Sequence, residues 1–368
     1  MRSIHSLRIA ACVAALMAMS GCAATAGTSG SGGSSTPAGP IVAGEVPDGA
    51  FAGHQFTLAA AGGDVQKVEM SIFNKFADKA GARVVGDSPV QLAKIQAQVQ
   101  SGNVTWDVVN TLAYAAKANC GTLFERLDLS KIDLSKLPKG VTAEECGIPL
   151  TTAAGVLAYS SAAFPNGGPQ TWSDFFDTKK FPGKRVLDGT NPVRVLTMAL
   201  LADGVAPDKL YPLDVDRAFR KLDTIKNDVI TFSTGAELQQ IMESHQGAVG
   251  QVWAARVRLS NINGADWKVA PATPIIIKEV WAILKGSKNQ DVAMGALNYW
   301  LGAQQQTDFQ EGTAALAMNA DATPKLDDQA KAVQALKPPF EPFVMIDADY
   351  WAKNLTKITD RYTTWLNG

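Results

Sequence analysis

The sequence predicts an α/β protein whose mostly parallel sheet is flanked by helices. Between residues 54 and 111, strand-like and helix-like segments alternate in the order strand, helix, strand, helix, strand. A similar alternation returns between residues 183 and 253, and chains of this kind pack helices on a parallel sheet. The 368 residues are 46% hydrophobic with a net charge of -1. This is enough for one or two cored domains and provides no basic surface for nucleic acid.

The first residues predict export. Arg2 and Arg8 precede an apolar run, 9–21, that is too short for a permanent membrane helix, so residues 1–21 are predicted to be a signal peptide. The run ends on "MSGC", which resembles a bacterial lipobox with Cys22 as the lipidated residue. Cleavage after "ATA" at 24–26, which gives a soluble secreted protein, is the alternative. Gly/Ser-rich sequence follows, and we expect residues 22–50 to form a flexible tether.

Cysteine and histidine limit the chemistry of the chain. Outside the signal region only Cys120 and Cys146 remain, and two cysteines in an exported chain predict a disulfide. A redox-active pair is the alternative, but the chain has no CxxC spacing. The three histidines, at positions 5, 54 and 245, have no cysteine or carboxylate at metal-ligand spacing. We therefore predict neither a metal site, nor a cofactor, nor a catalytic triad.

The first half of the body begins with a strand, "HQFTLAAAGG" at 54–63, that runs into a Gly-Gly turn. Asp64 is placed to cap a helix that stops at Gly81, followed by a strand at 82–86, a helix at 90–102 and a strand at 106–111. The apolar face of the first helix is formed by Val65, Val68, Ile72, Phe73 and Phe76. Ligands bind beyond the carboxyl ends of parallel strands. The candidate residues at these ends are Gly62, Gly63, Asn110 and Thr111.

The second half repeats this logic. A strand within 183–192 ends in a polar turn, and Pro192 suits the first turn of a helix over 193–204. Ser233 or Thr234 is predicted to cap the next helix, and the strand 247–253 ends on a tryptophan. Helix N-termini can hold polar ligand atoms, although most capping residues only cap. The candidates of this kind are Thr190, Asn191, Ser233 and Thr234.

Several segments resemble the extracytoplasmic solute-binding proteins of ABC transporters, in particular their polyamine (spermidine/putrescine) branch. They include "AAGGDVQKVEMSIFNKFADKAGARV", "CGIPLTTAAGVLAYSSAAFP", "TWSDFFDTKKFPGKRVL" and "TGAELQQIMESHQGAVGQVWAARV", and they cover most of 55–310 in order. The resemblance implies a two-lobed, type II-like periplasmic-binding-protein fold with a cleft between the lobes. Lobe 1 is expected to comprise 51–155 plus about 273–320. Lobe 2 is expected to comprise 156–272 plus about 321–368, including a C-terminal helix.

The same resemblance implies a function in transport and not an enzyme. The protein would capture a small polar solute and deliver it to a membrane permease and its ATPase. We expect a monomer in the periplasm or at the cell surface, anchored through Cys22, with a soluble periplasmic form as the alternative. Two alternatives to a transport function stay open: an exported enzyme on the same scaffold, and a structural or adhesive lipoprotein. A true binder compacts when solute is added, and an adhesin does not.

The residues around the end of the strand 247–253 decide the ligand class. Ala254 and Ala255 follow the tryptophan where the family typically shows Asn and Gly, and Glu279, Val280 and Trp281 stand where the polyamine branch tends to show Asp-Tyr-Trp. We predict that Trp253 and Trp281 form an aromatic shelf for the solute, with Trp253 as a plug of the core as the alternative.

Arg256 follows Trp253 three residues later and suits a carboxylate or phosphonate if it faces the cleft. Glu279 would then take an amino group, so a small organic acid or zwitterion is an alternative to a polyamine. An Arg256 that pairs with a surface carboxylate would contribute little.

The C-terminal stretch "DYWAKNLTKITDRYTTWL", 349–366, is amphipathic. It predicts a packed terminal helix, with a partner-binding or membrane helix as the alternative.

Overall fold

The computed structural model describes residues 40–334 and 343–368. The predicted signal peptide, Cys22 and most of the tether lie outside the described residues. Within these ranges no helix combines the length and the hydropathy that a membrane span needs.

The strands and helices alternate along the chain as the sequence predicts. The strands are β1 (Gln55–Ala59), β2 (Arg83–Asp87), β3 (Val108–Leu112), β4 (Ile148–Ser160), β5 (Arg185–Asp188), β6 (Val229–Phe232), β7 (Val249–Trp253), β8 (Trp267–Val269), β9 (Ile275–Ile283) and β10 (Val344–Met345). The helices are α1 (Gly63–Ala80), α2 (Leu92–Ser101), α3 (Ala113–Ala118), α4 (Trp172–Phe176), α5 (Pro192–Ala202), α6 (Val215–Asp223), α7 (Gly235–Glu243), α8 (Ala254–Ile262), α9 (Gln290–Trp300), α10 (Ala303–Thr313), α11 (Asp328–Ala332) and α12 (Ala348–Asn367).

The strands form one hydrogen-bonded sheet in the order β2-β1-β3-β9-β4-β7-β5-β6, with β10 paired to β9 and β8 to β4. At one end β1 runs parallel to β2 and β3, and at the other β5 runs parallel to β6 and β7. The long strands β4 and β9 join the two parallel groups and run antiparallel to each other. The predicted parallel groups are therefore confirmed, and the sheet as a whole is mixed.

Local signals explain where the helices begin and end. Gly81 ends α1 in the left-handed conformation, as predicted, and its amide donates to the carbonyl of Ala77. The Asn191 side chain caps α5, in which Pro192 is the first residue, and Thr234 caps α7. The prediction that Asp64 caps α1 is wrong. The N-cap position is Gly62 and the helix begins at Gly63, so Asp64 lies in its first turn, where a carboxylate is also favourable.

Two large groups of buried side chains lie on the helices that flank the two parts of the sheet. One gathers aromatic residues of α1, β9 and α9, including Phe73, Trp281 and Trp300. The other gathers residues of α4, α5 and α12, including Trp351 and Tyr362. The prediction of a packed terminal helix is thereby confirmed, because burial of these aromatic side chains fixes α12 on the body. The lobe boundaries stay a prediction.

Cys120 and Cys146, which are 26 residues apart, are joined by a disulfide. Cys146 is buried next to Phe124, whose backbone bridges to Leu284 just beyond β9. Closing a loop of this length stabilises the folded state by about 3 kcal/mol in the chain-entropy description.

Candidate ligand-binding site

A cavity of about 720 Å³ lies where the parallel strands end. Its walls come from both parallel groups of the sheet and from the long strand β9. The sequence predicted twelve ligand contacts at and beside these strand ends, and nine of the twelve line the cavity. Those that line the cavity are Asn110, Thr111, Thr190, Asn191, Ser233, Thr234, Trp253, Arg256 and Glu279.

The remaining three predicted contacts do not line the cavity. Trp281 is 0% exposed and packs edge-on against Phe73 and Trp300 in the core. It lies on the same face of β9 as Glu279, since residues two apart in a strand share a face. However, α1 and α9 cover the sheet at Trp281, so it is a core residue and not part of an aromatic shelf. Gly62 and Gly63 contact an arginine instead of the cavity.

That arginine is Arg256, on the first turn of α8. It is 1% exposed, and its Nη2 donates to the carbonyl of Gly62 at 2.7 Å while its Nη1 donates to Gln239 Oε1 at 3.3 Å. A Cβ atom at Gly63 or Gly235 would collide with the guanidinium, so a side chain at either position would displace Arg256. Burial lowers the pKa of Arg256 to about 10, although the charges of Glu69 and Glu279 oppose this shift. Much of its donor capacity is therefore used to join α1 to α7 and α8.

A second arginine, Arg194, was not predicted from the sequence. It lies in the first turn of α5, is 5% exposed and lines the cavity. Its Nε is buried without a hydrogen-bond partner among the described residues. Burial lowers its pKa, and the carboxylates of Glu279 and Asp188 oppose the shift. Arg194 is thus a buried cation at the cavity wall with unused donor capacity.

Trp253 lies beside both arginines. The guanidinium carbons of Arg194 and Arg256 are 5.5 and 6.0 Å from the centroid of its ring, and Phe232 packs edge-on against it. Both distances are within the range of cation–π attraction. The indole therefore borders the cavity, as predicted, and also supports the two cations.

Besides Asp188, whose carboxylate acts on Arg194, two carboxyl groups of the cavity face these cations. Glu279 of β9 is half-buried, and burial raises its pKa, while Arg194, a hydrogen bond from Asn110 and Arg256 lower it. Glu69 of α1 is 1% exposed, and burial and the Glu279 charge raise its pKa to about 8. The site therefore holds groups of both signs in surroundings that exclude much of the water. In the ranges 40–334 and 343–368, no three His, Cys, Asp or Glu residues are arranged to hold a metal ion.

The polar turn after β5 fixes the start of α5. The Asp188 carboxylate accepts from the amide and hydroxyl of Thr190 and from the amide of Asn191. The Asn191 side chain caps α5 through the amide of Val193 and also donates to the hydroxyl of Tyr114 at 2.7 Å. These residues border the cavity, and their hydrogen bonds hold Arg194 in place.

The helix start at Ser233 and Thr234 is arranged in a similar way. Thr234 Oγ1 accepts from the amide of Glu237, whose carboxylate accepts from the amide of Ser233. Both residues line the cavity, and these bonds use one acceptor site of the Thr234 hydroxyl and the amide of Ser233.

Sequence reasoning missed Glu69 and Arg194, although both leave a signal. Glu69 stands within the apolar stripe of α1, four residues after Val65 and three before Ile72. Arg194 is the only charged residue of α5. A charged residue on a face that otherwise packs inward must have a partner or line a cavity, because burying an isolated charge is costly.

Comparison with known proteins agrees with this geometry. Residues 71–338 match the family described as bacterial extracellular solute-binding protein. A gamma-aminobutyric acid-binding protein of Pseudomonas aeruginosa is 29% identical over 329 residues, which are 84% of this chain and 90% of that protein.

Solved structures extend the comparison to the fold. A GABA receptor is 34% identical with a TM-score of 0.74, and the match covers 85% of this chain and 98% of the receptor. A binding protein of Agrobacterium tumefaciens R10 in complex with agropinic acid is 28% identical with a TM-score of 0.79, over 86% and 99% of the two chains. An ABC transporter substrate-binding protein of Bradyrhizobium japonicum is 30% identical with a TM-score of 0.75, over 85% and 99%.

The predicted periplasmic-binding-protein fold is confirmed by these structural neighbours. The assignment to the polyamine branch stays a prediction. With a family match over most of the body and a cavity at the strand ends, this chain belongs to the bacterial extracellular solute-binding proteins.

Proposed function

We propose that this protein is the substrate-binding component of an ABC importer and that its solute is a small zwitterion of the amino-acid type. The observation that carries the proposal is the pairing of two buried arginines with two buried or half-buried carboxyl groups around one cavity. A solute with a carboxylate and an ammonium group satisfies both. A polyamine brings only positive charge, which Arg194 and Arg256 would repel.

The two ends of the zwitterion have different partners. The Nε atoms of Arg194 and Arg256 are both buried without a partner in the described part of the chain, but the Nη atoms of Arg256 already donate to Gly62 and Gln239, so Arg194 has the freer guanidinium to take the carboxylate. Glu279 lies close enough to both arginines for their charges to lower its pKa, and it provides an acceptor for the ammonium group. Trp253 then contacts the carbon chain between the two ends.

The relatives support this ligand class. Two of them are named for gamma-aminobutyric acid (GABA), whose carboxylate and ammonium group stand at the ends of a four-carbon chain. The carboxylate partner proposed here is Arg194 in addition to the sequence candidate Arg256.

The volume of the cavity favours a second candidate, a larger amino-acid derivative. A volume of 720 Å³ falls in the range of sites that hold drug-sized ligands. The cavity lining also includes Gln91 and Gln96 of the region around α2 and Thr356 and Thr359 of α12, which offer hydrogen bonds to a polar substituent. One structural neighbour binds agropinic acid, so that compound belongs in the test.

Four probes with the same carbon chain test the charge class. Binding is measured by calorimetry, and stabilisation by thermal melting, with GABA, butyrate, butylamine and putrescine. Agropinic acid is added as the larger probe. We expect a zwitterion to bind most tightly and to stabilise the protein by about 2.7 kcal/mol at 100 times its dissociation constant. Butyrate and butylamine should each bind more weakly, because one buried charge is left without its partner. Tighter binding of putrescine than of every zwitterion would contradict the proposal and favour the polyamine branch.

We also propose that Cys22 anchors the mature protein to the outer face of a membrane, where it serves the permease. The proposal rests on "MSGC" and on the Gly/Ser-rich sequence that follows. Replacing Cys22 with serine in the full chain should move the protein from the membrane fraction to the soluble fraction, because the lipid has no attachment point. Cys12→Ser, within the predicted signal peptide but outside the lipobox, is the control and should not change the fractionation. Unchanged fractionation of Cys22→Ser would favour cleavage near Ala26.

A further inference from the structure

Glu69 is one of the two carboxyl groups that face the arginines, but the binding scheme above gives it no contact with the solute, and folding does not explain its burial. Its side chain is 1% exposed, and neither carboxyl oxygen has a hydrogen-bond partner among the described residues. Buried carboxyl groups are normally paired, because an unpaired charge in an apolar setting costs several kcal/mol. Glu69 nevertheless lines the ligand cavity on the side of α1. A group of this kind is expected to exchange its proton when the charge nearby changes.

The charged groups that act on Glu69 come from two neighbouring elements. The negative charge of Glu279 on β9 favours the neutral form of Glu69, and the positive charge of Arg256 on α8 favours the ionised form of Glu69. Burial is the larger influence and raises the pKa of Glu69 to about 8. Glu69 therefore carries a proton in the ligand-free protein at neutral pH, beside an acidic group that is itself proposed to take an ammonium group.

Other charged groups on and around α1 have partners of their own. Asp308 of α10 pairs with Lys75, and Glu311 of the same helix accepts from the amide of Lys325. On α7, Glu237 accepts from the amide of Ser233, and Glu243 accepts from the side chains of Gln239 and Asn263. The remaining charged side chains near α1 fall into two groups. Those with a hydrogen-bond or ion-pair partner are Asp64, Lys67, Lys79, Asp87 and Asp291. Those that are exposed to solvent are Asp78 and Arg83.

We propose that Glu69 is a second acidic group of the binding site and that the cationic group of the solute enters the cavity in exchange for a proton carried by Glu69. This rests on the proposed function only in requiring a solute with a cationic group. A unit positive charge about 6 Å away, at an effective dielectric constant of about 20, lowers the pKa of a carboxyl group by about two units. The carboxyl group that burial keeps neutral in the empty cavity thus becomes an anion when the solute arrives.

The exchange has a measurable stoichiometry. With a pKa near 8 in the free protein and about two units lower in the complex, roughly 0.8 proton leaves for each cation bound at pH 7. The affinity should also rise roughly 40-fold between pH 6 and pH 8.5, because the proton competes with the solute at the lower pH. Glu69→Gln keeps the shape and the neutral state, so it should bind the solute without proton release and with a flat pH profile.

Calorimetry with GABA in buffers of different ionisation enthalpy measures the released proton. Wild type, Glu69→Gln and the control Asp78→Asn, an exposed acid on the same helix, are compared at pH 6, 7 and 8.5. We expect release from wild type and from Asp78→Asn but not from Glu69→Gln. GABA binding without proton release, or equal release from Glu69→Gln, would overturn the proton exchange while leaving the proposed function intact.

If GABA does not bind, the same measurement with putrescine separates the two proposals. Proton release on putrescine binding would support the exchange and contradict the zwitterion. A second measurement needs no ligand: NMR titration of isotope-labelled glutamate carboxyl groups in the free protein. We expect a carboxyl that titrates near pH 8 and is missing from Glu69→Gln. Titration of Glu69 in the ordinary range of glutamate would overturn the proposal whatever the probes do.

Discussion

Replacing Arg194 with glutamine should weaken the binding of the zwitterionic solute by roughly 100-fold or more. Truncating one partner of a buried, hydrogen-bonded charge pair costs about 2–5 kcal/mol, because the other charge stays buried without compensation. Arg194 reaches the cavity with a guanidinium whose Nε has no partner among the described residues, so its loss removes a ligand contact. Because Arg194 makes fewer hydrogen bonds within the protein than Arg256, the melting temperature of the free variant should fall less than that of Arg256→Gln.

Arg256→Gln is the matched comparison, since both arginines lie beside the ring of Trp253. Arg256 bonds to Gly62 and Gln239, so its loss should lower the melting temperature of the free protein as well as the affinity. Arg217→Gln, at an exposed pair with Asp203, is the control and should change neither. Calorimetry and thermal melting distinguish these patterns. Undiminished binding by Arg194→Gln, together with loss of binding by a stable Arg256→Gln, would assign the carboxylate to Arg256 alone.

The stability of the ligand-free protein should fall as the pH rises from 5 to 8, and Glu69→Gln should remove about 3 to 4 kcal/mol of that fall. The folded state holds the pKa of Glu69 at about 8, whereas in the unfolded chain it is near its ordinary value of 4.5. Below pH 4.5 the carboxyl group of Glu69 is protonated in both states and does not change the free energy of unfolding. Between the two pKa values the unfolded state gives up the proton first, so rising pH favours unfolding.

Urea denaturation at pH 5, 6, 7 and 8 measures this difference. The comparison between wild type and Glu69→Gln cancels the contributions of other titrating groups, and Asp78→Asn should follow wild type. Glutamine cannot ionise, so the variant should be the more stable protein at pH 8. Parallel curves for wild type and Glu69→Gln would show that Glu69 is ionised in the folded protein across this range.

The elements of the fold were predictable because their signals are local. The apolar period of α1, the left-handed glycine that ends it, and the capping residues of α5 and α7 all act over a few residues. The position of Trp253 is also set by local signals, because Trp253 ends β7 and α8 begins at the next residue. The alternation of these elements predicts parallel strands, and the ends of those strands predict the place of the cavity.

The identity of the site residues depended on distant segments of the chain. Trp281 and Glu279 share one face of β9, yet α1 and α9 cover only the first of them. Arg256 follows Trp253 as expected, but Gly62, nearly 200 residues earlier, accepts one of its hydrogen bonds. Neither contact follows from the period of a strand or a helix.

Sequence alone therefore determined the α/β alternation, the helix termini and the edge of the sheet at which the cavity lies, because propensity, capping and hydrophobic period act between near neighbours. Only the tertiary structure decided that Glu69 and Arg194 reach the cavity and that Trp281 does not. A buried face is apolar or polar according to what packs against it. For α1, α5 and β9, that partner is supplied by residues remote in the chain, so the same local pattern is compatible with a core or with a binding site.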